Sequence, residues 1–265
     1  MLNKFGEVLE NASLVNYNTY GIYTSCDYLV KPNSIDNLIN LLEYLNSNNL
    51  KYYLLGGGSN VILPDSKFNG VIISLELLNK VEFNENEVVA ECGISLAKLA
   101  IDTINKSLSG FEYLALIPGT LGGALYGNAG VKDYTVYDNL ISVEVIRDNK
   151  LTKLQKEDVD ISYRFTSFKN NNDILVRATF QLSDGNKEEL KEIVKENRIK
   201  RQNTQPLEYK NAGSVFKNPE GDFAGRLIEA AGLKGYSVGD AEVSTKHANF
   251  IVNKGNATGR DIRTL

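Results

Sequence analysis

Histidine occurs once in this 265-residue chain, at His247; cysteine occurs twice, at Cys26 and Cys92, methionine once and tryptophan not at all. A single imidazole leaves too little material for a His-based metal site or a Ser-His-Asp triad, so catalysis would use other groups. Two cysteines far apart in sequence do not make a metal cluster. Each sits among strand-like apolar residues, which suits a small buried filler, and no metal is expected. No stretch approaches the ~20 apolar residues that a membrane helix needs, and the N-terminal MLNKFGEVLENASLV lacks the basic start and apolar run of a signal peptide. A cytoplasmic protein is expected. The net charge of -4 argues against a nucleic-acid or membrane-surface partner, because a polyanion needs a concentrated basic face. Any anionic ligand must be met by local groups.

What is present reads as α+β. Ile35, Leu38, Ile39, Leu42 and Leu45 recur at helical spacing behind an Asn33/Ser34 cap, which predicts a helix over 34–45. Short apolar runs at 52–55, 61–63, 71–74, 88–91, 141–147, 174–182 and 250–252 predict strands, and helices are predicted over 96–107, 187–202 and 224–231. The helix over 187–202 is charge-rich, with Leu190, Ile193 and Val194 on one face, and its charges form a solvated face. A domain boundary is placed near residue 185, giving domains over 1–185 and 186–265.

Two glycine-rich stretches stand out. In Gly56, Gly57, Gly58, Ser59 and Asn60, three glycines allow backbone N–H groups to approach a phosphate without Cβ interference, and two polar side chains add hydrogen bonds. A dinucleotide fingerprint would open a helix, whereas this turn leads into VILPD, where proline and β-branched residues oppose one; no G-x-x-x-x-G-K-[ST] loop occurs either. Taken alone, GGGSN fits a ligand loop or a tight strand connection. The second stretch, IPGTLGGALYGNAG, spans 117–130 and is apolar and uncharged around its glycines, unlike an exposed linker. Bare backbone facing a flat or extended ligand accounts for the missing side chains, and a glycine-rich turn inside the core is the alternative. The pair predicts a cradle for a phosphate-bearing cofactor.

These motifs, with YNTY (17–20), LGGGSNVIL (55–63), SYRFTSFK (162–169), NAGSVFKNP (211–219), AGRLIEAAGLKG and STKHANFIVN in this order, resemble the UDP-N-acetylenolpyruvoylglucosamine reductases. The resemblance implies an FAD-binding domain of the vanillyl-alcohol-oxidase (PCMH) type followed by a smaller α+β substrate-binding domain. It implies reduction of UDP-N-acetylenolpyruvoylglucosamine to UDP-N-acetylmuramate in peptidoglycan precursor synthesis, with FAD bound and NADPH as hydride donor. A tyrosine-bearing loop insertion found in some members is absent between Arg164 and Ser214, which marks the shorter type, and a monomer is expected. Carried over by motif, the flavin ligands are Gly56, Gly57, Gly58, Ser59 and Asn60 with Pro118, Gly119, Gly122, Gly123, Asn128 and Ala129, most of them acting through backbone.

The same resemblance gives Arg164, the arginine of SYR, as the cation that stabilises the charge developing after hydride transfer, and Ser214, in AGSVF, as the proton donor. An ordinary surface salt bridge and a turn residue are the plain alternatives for these two. Lys217 and Asn218 suit a carboxylate or diphosphate of the sugar nucleotide, and His247 reads as a packed structural histidine. A third catalytic group of the family, a glutamate in a segment resembling L-x-P-E, is expected after one more helix; Thr258 to Leu265 reads as the opening turns of that helix. The expectations are therefore a truncated chain of an active enzyme or a protein that binds FAD and sugar nucleotide with impaired turnover; a flavin oxidase of the same fold is the remaining alternative. The segment 22–27 carries IYTSCD where many members have a Gly-Gly pair, which leaves its flavin contacts open.

Overall fold

The computed structural model describes residues 2–131 and 133–265. Its internal contacts form two compact units, each built from separated segments. The first takes the segments ending at Leu9 and running over Leu29–Gly56 and Val71–Asn197; the second takes Glu10–Tyr28, Gly57–Gly70 and Arg198–Leu265. The interleaving differs in kind from a single cut near residue 185. It assigns Gly56 to the first unit and the rest of GGGSN to the second.

In the first unit, helix α1 (Ile35–Ser47) forms where apolar spacing and a serine cap predict it. Ser34 Oγ accepts the Asn37 N–H at 3.1 Å, and Leu38, Leu41, Leu42 and Leu45 bury one face. That face packs with Val30, Val71 and Ile73 of a sheet whose strand order is Gly6–Glu10, Cys26–Pro32, Phe68–Ser74, Tyr52–Leu55. The last two strands are parallel, registered from Tyr52 opposite Val71 to Leu55 opposite Ser74.

A second, antiparallel sheet runs in the order Lys150–Gln155, Leu140–Arg147, Ile174–Gln181, Glu87–Glu91, Val81–Asn84. Helices α2 (Leu96–Asn105) and α3 (Leu121–Gly127) contribute Leu99, Ala100, Ile104, Leu121 and Leu125 to a core with Val143, Val145 and Phe180. Phe111 meets Phe180 edge-on at 4.9 Å. Cys92 is buried in this core and Cys26 is also buried, as fillers should be; burial drives the Cys92 thiol pKa upward. Helix α4 (Lys187–Thr204) begins in this unit and ends in the other.

The predicted strand over 61–63 is absent, because Val61, Ile62 and Leu63 lie in irregular backbone. The paired strands at Gly6–Glu10, Cys26–Pro32 and Lys150–Gln155 are additions to the predicted set.

The second unit carries helices α5 (Ala224–Ala230) and α6 (Gly259–Thr264), and a three-stranded sheet of Ser237–Val238, Ala241–Val243 and Ile251–Asn253. Tyr20, Ile22, Ala241, Ile251, Ala257 and Ile262 make its core. Asn253 Nδ2 donates to the Tyr20 carbonyl at 2.8 Å, and burial pushes the Tyr20 phenol up to about 12. The strand found at Ile251–Asn253 and the helix beginning after Thr258 agree with the expected elements.

His247 is a structural group here. Its Nδ1 accepts the Asn249 N–H at 3.2 Å, its ring lies 4.8 Å from that of Phe250, and its burial lowers its pKa from the ordinary 6.5. A depressed imidazole pKa means that the unfolded chain takes up the proton first, so stability falls as pH drops below 6.5 and the loss is complete below the folded value. Urea unfolding at pH 7.5 and about 5.5 should therefore show a smaller loss of stability on acidification in His247→Gln than in wild type, because glutamine keeps an acceptor and does not titrate. Equal losses in the two proteins would remove His247 from the acid response.

Candidate functional site

The second glycine stretch folds as a turn followed by α3. Thr120 caps the helix, its Oγ1 accepting the Gly123 N–H at 3.3 Å. The entry is sewn to the strand-end segment 92–96 by three backbone hydrogen bonds: Gly122 N to Cys92 O at 2.8 Å, Leu121 N to Ile94 O at 2.9 Å, and Leu96 N to Gly119 O at 3.0 Å. At the far end Asn128 caps α3 in the left-handed region, φ 45°, and its N–H and that of Ala129 return to Leu125 O and Ala124 O. The N–H groups of Gly122, Gly123, Asn128 and Ala129 are thus committed to protein acceptors. This stretch is not a nest of open donors, and a ligand would meet its backbone surface instead.

That surface is bare where it matters. A Cβ added at Gly127 would meet nothing within 4 Å, and one at Gly123, one turn earlier on the same face, would meet only Thr120 Oγ1 at 3.5 Å. Beside this face Asn128 is 5% exposed; its Nδ2 donates to the Ser162 carbonyl at 2.8 Å, but its Oδ1 has no hydrogen-bond partner. A buried acceptor left unmade costs about 1–3 kcal/mol, which a donor on a bound molecule would recover. The combination fits a flat group with an N–H edge, such as a flavin, and Pro118 and Gly119 lie at the accessible start of the same stretch.

The first stretch begins at the end of Tyr52–Leu55. Gly56 is close to the α3 cap: a Cβ there would lie 2.9 Å from Thr120 Oγ1. From Gly57 the loop belongs to the second unit. Gly58 has φ 61°, and a Cβ on it would sit 2.0 Å from the Tyr17 carbonyl oxygen, so glycine is required for both conformation and space. The loop is tied down through an acceptor, the Gly58 carbonyl, which takes the Thr19 N–H at 3.1 Å, and this tie consumes none of the loop's N–H donors. Gly57 and Asn60 are exposed and Ser59 is half-buried.

Arg164 sits in a two-residue hairpin turn between Ile161–Ser162 and Phe165–Thr166, with Ser162 opposite Phe165. Its φ is 56°, a left-handed conformation that a turn of this kind ordinarily gives to glycine or asparagine. Its guanidinium donates to the carbonyl of the α3 cap and to that of Gly130 in the short strand Gly130–Val131 that follows, Nη1 to Asn128 at 3.1 Å and Nη2 to Gly130 at 2.6 Å. Lys169 Nζ donates to the Arg164 carbonyl at 2.8 Å, and Thr166 Oγ1 to the Tyr126 carbonyl at 2.8 Å. The structure therefore joins Arg164 to Asn128 and the glycine stretch. It is not a surface salt bridge.

Ser214, in the second unit, follows Gly213 at φ 80° and pairs in an isolated bridge with Phe250. The next two residues are pinned to Asn249: Val215 N to its carbonyl at 2.8 Å, Phe216 N to its Oδ1 at 2.9 Å, with Asn249 Nδ2 returning to Phe216 O at 2.8 Å. Ser214 is exposed on this fixed backbone, and no described residue hydrogen-bonds its hydroxyl. Asn249 is a supporting residue that pattern reading passed over; its position in HANF, after the lone histidine, was the available signal. Lys217 is exposed, with no ion-pair partner among the described residues. Asn218 has a fold role, since its Oδ1 accepts the Ala224 N–H at 3.1 Å and caps α5, leaving its Nδ2 as a donor. Among the described residues no cluster of His, Cys, Asp and Glu is arranged to hold a metal ion.

Residues 26–150 match the family model described as FAD binding domain, and residues 205–265 match that described as UDP-N-acetylenolpyruvoylglucosamine reductase, C-terminal domain. The UDP-N-acetylenolpyruvoylglucosamine reductase of Clostridium novyi (strain NT) is 40% identical over 260 residues, covering 98% of this chain and 85% of that protein. That of Caldanaerobacter subterraneus subsp. tengcongensis is 39% identical over 263 residues, covering 99% and 87%. The crystal structure of UDP-N-acetylenolpyruvylglucosamine reductase from Thermus caldophilus matches with a TM-score of 0.82 at 31% identity, over 97% of this chain and 91% of that one. A 6-hydroxy-D-nicotine oxidase from Arthrobacter nicotinovorans, at 15% identity, a TM-score of 0.53 and coverage of 69% and 43%, shares the fold alone, in keeping with the α+β class of vanillyl-alcohol-oxidase type. The chain belongs to the UDP-N-acetylenolpyruvoylglucosamine reductase family.

Proposed function

We propose that the chain reduces the enolpyruvyl group of UDP-N-acetylenolpyruvoylglucosamine to the lactyl ether of UDP-N-acetylmuramate, with NADPH as reductant, in peptidoglycan precursor synthesis. Bound FAD supplies hydride transfer. Cofactor handling falls to residues 1–185 and substrate binding to 186–265, in a cytoplasmic monomer that needs no nucleic acid or membrane partner. Among the described residues no helix is long and apolar enough to cross a membrane.

The observation that carries this reading is the placement of Arg164. Hydride addition to the enolpyruvyl C3 leaves negative charge at C2 and on its carboxylate, and a permanent cation held in advance lowers the energy of that state without reorganising. Two of the five guanidinium N–H donors are spent on Asn128 and Gly130, which fixes the plane and leaves the others for a carboxylate. Holding a non-glycine residue at φ 56° costs about 1 kcal/mol, a strain retained where a side chain has to be aimed. Asn128 offers its buried Oδ1 to the cofactor, and the bare Gly123/Gly127 face admits it closely.

Ser214 completes the reaction by giving its hydroxyl proton to C2. Serine is a weak acid, and it serves because the recipient carbon is strongly basic and the Asn249 clamp holds the neighbouring backbone still. Lys217 and the Nδ2 of Asn218 present donors to the anionic sugar nucleotide, the Oδ1 of Asn218 being taken by the Ala224 N–H.

Protein reconstituted with FAD should turn over NADPH beyond the equivalent that reduces the flavin only when UDP-N-acetylenolpyruvoylglucosamine is added. Arg164→Lys and Ser214→Ala should each lower substrate-driven turnover by about 10²–10³-fold while FAD stays bound, since both act on the developing charge. NADPH consumption with oxygen uptake and no substrate dependence would point to a flavin oxidase. The backbone strain has its own test: Arg164→Gly should be more stable than Arg164→Ala by about 1 kcal/mol in chemical denaturation, because both lose the guanidinium and only alanine keeps the left-handed penalty.

A further inference from the structure

The segment that follows the first glycine stretch is fastened to the C-terminal helix by a side chain that the function described above does not use. Asp65 lies five residues after Asn60, at the end of VILPD. Its carboxylate accepts two consecutive N–H groups at the start of α6, Gly259 through Oδ1 at 2.5 Å and Arg260 through Oδ2 at 3.0 Å, and Arg263 Nη2 lies 3.8 Å away. The backbones are in close contact, since a Cβ on Gly259 would fall 2.3 Å from the Leu63 carbonyl oxygen.

Helix α6 already has a complete cap of its own. Thr258 Oγ1 accepts the Asp261 N–H at 3.1 Å, and Asp261 Oδ2 accepts the Thr258 N–H at 2.9 Å. The carboxylate brought in from 194 residues away therefore does more for its own segment than for the helix: it fixes 63–65. The upstream end of the segment is fixed separately, where Gly58 packs on Tyr17 and its carbonyl takes the Thr19 N–H. Between these anchors run only Ser59, Asn60, Val61 and Ile62, irregular in backbone, with the last three exposed. Four residues strung between two fixed points have few conformations left, and ordering them before a ligand arrives removes a cost that binding would otherwise carry.

We infer that Asp65 is a positioning residue for the cofactor loop: its clamp on the start of α6 holds Ser59 and Asn60 in the arrangement that receives FAD. The inference rests on the reading of GGGSN as a flavin-binding loop. It makes cofactor affinity depend on a residue that acts through the loop.

The test is FAD titration of apoprotein for wild type, Asp65→Ala, Asp65→Asn and Ile262→Val, the last a cavity-forming control in the buried face of α6 that leaves the carboxylate in place. Asp65→Ala should weaken FAD binding by about tenfold or more, Asp65→Asn by less because one acceptor remains, and Ile262→Val by less than about twofold. In parallel, amide hydrogen exchange of 59–62 in the apoproteins should rise in the two Asp65 variants and not in Ile262→Val. If Asp65→Ala does not fold, Asp65→Asn carries both measurements. Unchanged FAD affinity in the Asp65 variants, unchanged exchange at 59–62, or an equal loss of affinity in Ile262→Val overturns the inference. Failure of wild type to bind FAD would overturn the functional reading instead, and the exchange comparison would still decide whether the clamp orders the loop.

Discussion

Three backbone hydrogen bonds between residues 92–96 and 119–122 fix where α3 begins, and the candidate site in the first unit follows from that position. Because Gly122 donates directly to the Cys92 carbonyl, the helix lies close against the sheet, where even a methyl would be tight; a Cβ there would be 3.1 Å from both Cys92 Cβ and its oxygen. Cys92 is a small, fully buried residue at this contact. Its burial raises its thiol pKa and removes it from chemistry, so it acts by volume. With the start of α3 fixed, its length fixes its end, where Asn128 turns into the left-handed region and its carbonyl, with that of Gly130 just beyond, accepts from Arg164.

Those carbonyls explain how an arginine is kept in a conformation that it would not choose. The C-terminal end of a helix carries partial negative charge, and a cation placed there is stabilised by about 0.3–1 kcal/mol even before individual hydrogen bonds are counted. The two charge-assisted bonds of Arg164, with the Lys169 contact to its carbonyl, outweigh the local backbone penalty. Two left-handed non-glycine residues, Asn128 and Arg164, thus support one another across 36 positions of sequence.

This is also where sequence reading stopped. Elements with a strong period were legible: the 34–45 pattern became α1, the charged 187–202 pattern became α4, and the apolar runs at 88–91, 141–147 and 174–182 became neighbours in one sheet. Helix α3 was hidden because glycine-rich LGGALYG has low helix propensity, and its helix is selected by the tertiary hydrogen bonds at its start. The strand expected at 61–63 had suitable residues, but this short apolar segment is irregular in backbone; Asp65 instead bonds α6. Motif order identified Arg164 and Ser214 as candidates, whereas their supports, the Asn128 and Gly130 carbonyls, Lys169 and Asn249, emerge only once the chain has folded back on itself.

The same logic governs charge. FAD, NADPH and a sugar nucleotide are all anionic, yet the chain carries a net charge of -4, so its long-range field does not draw them in. At physiological salt, charges more than about 8 Å away are screened, and affinity has to be built from groups at contact distance. That favours donors which cost little to aim: N–H groups of a loop with both ends anchored, a guanidinium whose plane is set by two carbonyls, and an asparagine whose acceptor is spent on a helix cap so that only its donor faces out. In the proposed site, hydrogen bonds inside the protein fix the backbone, the guanidinium plane and the amide orientation of these groups.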